Sequence, residues 1–184
     1  MTKKSISIFP YFLISLFPYF TSCENDIEKI KLITAKDKLP VETAKNIEVL
    51  YSDSGKVQVK ISAVEMNHFA TEDPYLELPK GVKVSFYDEH LQVKSWLRAN
   101  YAIKYEKKNI MEARNNVVIV NEKGEQLNTE RLIWDETKEK FFSDEFVKIA
   151  TADEIIYGKG FEANQNFTKY KIFKINGTIN LGKK

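Results

Sequence analysis

Two halves of one stretch repeat each other, and this repetition limits the possible fold more than any other feature of the chain. Leu97, Ala99 and Ala102 precede a polar tip at Glu106-Lys107-Lys108-Asn109 and then Asn116-Val117-Val118-Ile119. The same order returns as Leu127, Thr129 and Leu132, the tip Glu136-Thr137-Lys138-Glu139, and Phe146-Val147-Lys148-Ile149. A third copy puts Ile156, Gly158 and Phe161 in the places of Leu127, Thr129 and Leu132. A looser fourth lies upstream at Ala63, Met66, Val82 and Val84, lengthened around Asp73-Pro74. A period of about 30 residues belongs to a supersecondary unit stacked on copies of itself, each burying its neighbour's apolar face.

The unit is built from strands. Ile47, Val49 and Tyr51 alternate before Ser52-Asp53-Ser54-Gly55, and Val57, Val59 and Ile61 alternate after it, which is the pattern of a hairpin with one buried face. Polar tips at Asp88-Glu89-His90, Glu122-Lys123-Gly124-Glu125 and Thr151-Ala152-Asp153 continue the rhythm, giving roughly twelve strands of ordinary length and no helix after residue 47. No proline lies between Lys80 and Lys184. Proline lacks the amide hydrogen a strand interior needs, so its absence suits a long antiparallel meander.

Within each copy the small or apolar positions are three apart: Ala63/Met66, Ala99/Ala102, Thr129/Leu132 and Gly158/Phe161. An odd offset turns the side chain to the other face unless a bulge or corner intervenes, so a recurrent kink is expected there. Stacked kinks would fold the sheet over into two walls around an apolar furrow. Leu97, Val117, Ile119, Leu132, Val147 and Ile149 recur at matched apolar positions and are the candidate lining.

Ahead of the strands, Lys3 and Lys4 are followed by a run without charge from Ser5 to Ser22 and then by Cys23. A short basic segment, an apolar core and small residues at its end describe an export signal over residues 1–22. Pro10 and Pro18 interrupt the run, which is shorter than the about 20 apolar residues of a spanning helix. Cys23 is the single cysteine and can form no internal disulfide. Its position resembles the lipobox of bacterial lipoproteins, which implies an acylated thiol and attachment to a membrane. Residues 23–46 are polar and read as a tether, leaving residues 47–184 as the folded domain.

Loss of Lys3 and Lys4 with the signal reduces 28 basic residues to 26, equal to the 26 acidic ones, so net charge argues for no nucleic-acid partner. His68 and His90 are far apart in the sequence and no second cysteine exists, so no metal-ligand cluster is formed and no metal or cofactor is expected. The seven glycines are scattered and form no phosphate-binding loop, while the acids at the tips select no catalytic pair, so no enzyme is expected.

The run from Leu97 to Ile149, with LYSDSGKVQVKISA and LPKGVKVSFYD upstream and IIYGKGFEANQNFTKYKI downstream, resembles the LptC family of lipopolysaccharide-transport proteins. The likeness is to the lipoprotein form found in Bacteroidetes-like bacteria and extends from about Ile47 to Ile175. The resemblance implies an antiparallel, twisted open β-jellyroll that joins similar jellyrolls edge to edge. It also implies a place on the periplasmic side of the inner membrane, where lipopolysaccharide is received from the LptB, LptF and LptG transporter and handed to an LptA-like bridge protein. Many relatives keep an uncleaved transmembrane helix, whereas this chain is expected to use lipid on Cys23.

The partner edges implied are the N-terminal hairpin, through Ile47, Val49, Val57, Val59 and Ile61, for the transporter, and the last strand, with Tyr170, Ile172, Phe173 and Ile175, for the bridge. Lysines at 169, 171 and 174 would keep that last edge from pairing indiscriminately. It is expected to end near Ile175, where Asn176-Gly177 could instead make a hairpin turn.

The competing reading is a surface or outer-membrane β-repeat lipoprotein that binds glycans or a protein partner. Trp96, Tyr101, Tyr105 and Trp134 discriminate: an exposed aromatic row favours glycan, and apolar side chains gathered in a cleft favour lipid. For the anchor, Cys23→Ala should release the mature chain from membranes or leave the signal uncleaved. Membrane fractionation checks this, and unchanged attachment and processing would exclude lipidation at Cys23.

Overall fold

The computed structural model of the chain describes residues 39–165 and 167–182; Cys23, the expected signal and most of the expected tether lie outside the described residues. Eleven antiparallel strands form one sheet. They are β1 (Glu42–Asp53), β2 (Lys56–Phe69), β3 (Tyr75–Leu78), β4 (Val82–Tyr87), β5 (Val93–Ala99), β6 (Tyr101–Tyr105), β7 (Ile110–Val120), β8 (Gln126–Asp135), β9 (Lys140–Ala150), β10 (Glu154–Asn164) and β11 (Tyr170–Asn180). Strand pairing begins at Glu42 rather than Ile47, because Glu42 to Lys45 already pair with His68 to Glu65.

The strands are fewer and longer than expected, up to 14 residues in β2. They run through the kinks instead of stopping there. The first half of β2 pairs β4 and its second half pairs β3; β5 and β6 then pair the two halves of β7. From β7 to β11 the sheet is a plain meander of bent strands. Each bent strand gives one half to each of two walls, which makes the molecule a twisted, open β-jellyroll.

The three-residue offsets mark the bend. Ala99 and Ala102, and Thr129 and Leu132, are all buried, so both members of each pair face the interior despite their odd spacing. Register shifts fall between Arg114 and Val117, between Thr129 and Ile133, and between Lys159 and Phe161. Asn115, Asn116 and Gly160 take up the left-handed backbone there, with φ of 63°, 54° and 83°. Asparagine and glycine tolerate that region at least cost.

A bulge frees backbone groups that need partners when buried. Glu130 accepts from the Asn116 amide at 3.2 Å. Thr129 Oγ1 donates to the Phe146 carbonyl at 3.0 Å, and Ser143 Oγ accepts from the Glu145 amide at 3.2 Å.

One apolar cluster fills the space between the walls, including Val84, Leu97, Val117, Ile119, Leu127, Leu132, Val147, Ile149 and Phe161. Each such side chain contributes about 1.5–3 kcal/mol on leaving water.

At the C-terminal end, β11 does not stop at Ile175. Asn176 is a bulge, Gly177 pairs Tyr157 and Asn180 pairs Glu154, so Asn176-Gly177 forms no hairpin: pairing to β10 continues past it. β11 lies close to β10 because Gly158 has no side chain. A Cβ there would meet Ile172 Cγ2 at 2.4 Å and the Lys174 carbonyl oxygen at 2.6 Å. Gly158→Ala should therefore cost about 1–3 kcal/mol through overpacking. Hydrogen exchange should show the loss concentrated in β11, and equal protection in wild type and variant would refute the close-approach role.

Candidate functional site

The two walls do not meet along their whole length. Toward the β1 end they leave a cleft of about 560 Å³. Val59, Ile61, Val82, Val84, Phe86 and Leu97 line one side, and Ala102, Met111, Ala113, Leu132, Trp134 and Phe141 line the other. The rim is polar, with Asp53 and Gln58 on one lip and Lys104, Glu136 and Glu139 on the other. The interior is therefore suited to hydrocarbon, and the rim to a polar group that stays in water.

Of the six side chains expected to line the furrow, Leu97 and Leu132 face this cleft. Val117, Ile119, Val147 and Ile149 sit in the close-packed core beyond it, with 0–2% of their surface exposed. An arginine at Ile119 would therefore unfold the core before it reported on a ligand.

Met111, Trp134, Phe86 and Phe141 were not singled out by the repeat. Trp134 could have been found by carrying the inward parity of Leu132 two residues past the corner. Trp134 packs on Phe141 with ring centroids 4.5 Å apart. Trp96, Tyr101 and Tyr105 are each faced by a cation: Arg98, Arg114 and Lys108 lie 6.0, 5.8 and 5.4 Å from the respective rings.

The wall carrying Met111 and Ala113 is braced from behind. Glu112, between them on β7, is buried and accepts two hydrogen bonds of 2.8 Å from Arg114 and another from Arg131, which also reaches Asp144 at 3.1 Å. The Arg114 guanidinium, and after it Arg131, hold the Glu112 carboxyl below the usual carboxylate range, against the opposing effect of burial. Nearby, the Tyr101 hydroxyl donates to Glu77 at 2.8 Å.

Both ends of the sheet are open. β1 has β2 on one side only, and β11 has β10 on one side only. Ile47 and Val49 lie on the first edge and Tyr170, Ile172, Phe173 and Ile175 on the second. Val57, Val59 and Ile61 belong to β2, second from the edge: Val59 and Ile61 pair Phe86 and Val84 on the side away from β1. The N-terminal edge is thus β1 alone. Phe173, Ile175 and Ile179 on β11 are exposed, and Lys171 Nζ lies 5.1 Å from the Phe173 ring.

No group of three or more His, Cys, Asp or Glu able to hold a metal occurs among the described residues. No helix among them is long and apolar enough to cross a membrane.

An antiparallel sheet folded into two walls, with an apolar cleft between them and an unpaired strand at each end, defines the class: an open β-jellyroll with edges free to pair. The sequence matches the family described as "Lipopolysaccharide-assembly, LptC-related" over residues 11–177, and the chain belongs to that family. No curated protein matches it significantly. Membership gives the chain a role in lipopolysaccharide transport, and by family that role is non-enzymatic and periplasmic, at the inner membrane.

The Glu112 brace predicts a pH dependence. A carboxyl with a depressed folded pKa adds stability above its unfolded value of about 4.3, and that contribution is lost as the pH falls through the folded value. Glu112→Gln should lower stability at neutral pH by about 1–3 kcal/mol, and the difference from wild type should narrow in acid. Urea unfolding at neutral pH and at about pH 3 checks it; a gap independent of pH would contradict the charge-based role.

Proposed function

We propose that the chain binds the acyl part of lipopolysaccharide in the cleft between its walls and passes the lipid from the inner-membrane LptB, LptF and LptG transporter to an LptA-like bridge protein. The observation that carries this reading is the cleft itself: apolar inside, polar at the rim, and placed between two sheet edges free to pair. Each square ångström of acyl surface taken out of water contributes about 25 cal/mol. Unpaired strand edges offer main-chain hydrogen bonds to a matching jellyroll. In this reading β1 meets the transporter, β11 meets the bridge, and lipid on Cys23 holds the domain at the periplasmic face of the inner membrane. No group on the chain needs to do chemistry, since the energy for extraction comes from the ATPase of the transporter.

Photo-crosslinking side chains placed along the path test all of this at once. Probes at Val59 or Met111 should label lipopolysaccharide, a probe at Val49 the transporter, and one at Ile179 the bridge protein. Probes on the tips at Lys108 and Lys123 should label none of them. Lipid labelling that is equal at tips and cleft would refute a defined acyl site.

A further inference from the structure

The outer face of β9, β10 and β11, turned away from the packed core, carries a basic and apolar patch. Register fixes its members. On β9, Val147 and Ile149 are buried, so Phe146 and Lys148, on either side of Val147, point outward. On β10, Lys159 lies opposite Phe146 and Tyr157 opposite Lys148. On β11, Lys174 lies opposite Lys159 and Ile179 opposite Ile155, two residues before Tyr157. Directly paired residues share a face, so these side chains stand on one surface. The Phe146 and Tyr157 rings stack with centroids 6.0 Å apart, and Phe146 and Ile179 are each 52% exposed.

The three lysines are close together and uncompensated. Lys159 and Lys174 stand directly opposite each other, an arrangement that disfavours like charges, and Lys148 is one strand away. Elsewhere on the sheet Lys60, Lys104 and Lys140 each meet a carboxylate, at 2.6, 3.7 and 2.6 Å. Lys148, Lys159 and Lys174 form no ion pair among the described residues. The acids of the same strands are engaged or turned away: Arg131 holds Asp144, Lys140 holds Glu162, and Glu154 shares the inward face of Ile156, which pairs the buried Ile149. Glu145, in the bulge at the corner, is the one carboxylate left on these strands beside three lysines. Guarding the open edge accounts for Lys174 alone, because β9 and β10 have ladders on both sides.

A flat face with three cations set among exposed aromatic and aliphatic side chains fits the boundary of an anionic bilayer. The ammonium groups reach lipid phosphates, while their stems and the neighbouring apolar side chains enter the headgroup layer. Family membership places the domain at the inner membrane. Length permits the contact. From β1 to β11 the sheet spans eight strand spacings, about 40 Å, and the segment from Cys23 to Lys38 measures about 50 Å when extended.

We infer that this face is a membrane-docking surface: while no bridge protein is attached, the β11 end of the sheet rests on anionic lipid through Lys148, Lys159 and Lys174, with Phe146 in the headgroup layer. Docking uses side chains and leaves the backbone edge of β11 unpaired, pointing along the membrane. A bridge that leaves the membrane can then pair with β11 only once the face has lifted. The inference rests on the anchor at Cys23 proposed above and not on the acyl site.

The test uses the full-length chain, purified from membranes and reconstituted into vesicles of phosphatidylcholine, alone or mixed with phosphatidylglycerol. A benzophenone side chain replaces Phe146 or, as a control, Lys108, exposed at the β6–β7 tip. In the mixed vesicles, position 146 should label lipid several-fold more than position 108. Labelling from position 146 should fall several-fold in phosphatidylcholine alone, and again in about 1 M salt, which shortens the screening length to about 3 Å. Lys148→Glu combined with Lys159→Glu should lower it equally. Thermal unfolding shows whether the double variant is folded; if it is not, the lipid and salt comparisons decide. Equal labelling from the two positions, or labelling from position 146 that is indifferent to phosphatidylglycerol and salt, overturns the inference while the anchor stands. Adducts from position 146 to a second copy of the chain, or in native membranes to another polypeptide, in place of lipid also overturn it. A chain that does not float with the vesicles overturns the anchor, and the inference with it.

Discussion

The corner that crosses every long strand is the constraint on which the rest depends. A strand can turn from one wall into the other only by leaving some backbone groups out of the ladder, and in a buried setting each must find another partner. Glu130, Thr129 and Ser143 supply such partners, while Asn115, Asn116 and Gly160 supply the backbone conformations. If these residues failed, the sheet would straighten, the walls would part, and Leu132, Val147 and Phe161 would lose the opposite face that buries them.

The cleft is a local departure from this packing. Near β11 small and medium side chains let the walls touch, as the fit of Ile172 over Gly158 illustrates. Near β1 the walls are held apart, with Phe86, Phe141 and Trp134 at the boundary between the two regimes. The Glu112 brace lies on the outer side of the separated wall. There Met111 and Ala113 line the cleft, and the ion pairs of Glu112 with Arg114 and Arg131 stiffen their strand from outside.

Much of this was legible in the sequence. Repeating apolar positions gave the stacked strands, and the odd offsets of Ala99/Ala102 and Thr129/Leu132 gave the corner, because side-chain parity is a strict property of a strand. The resemblance gave the family. The depth of the cleft was not legible: Val117 and Val147 recur at matched apolar positions just as Leu132 does at its own, yet of the three only Leu132 lines the cleft, since wall separation depends on side chains from distant strands. The continuation of β11 through Asn176-Gly177 was missed because the dipeptide favours a tight turn locally, whereas ladder bonds to β10 absorb it as a bulge.

The corner also has a consequence for growth. Because every bent strand repeats the same turn at the same height, the jellyroll has translational order along the direction of strand stacking, much as a solenoid does. A further bent strand laid on β11 in register would inherit both walls and the angle between them from its neighbour. The cross-section would stay constant while the length increased. A structure of this kind can be extended by simple addition, with no new core to design, and its interior becomes a corridor whose length is the number of strands multiplied by their spacing.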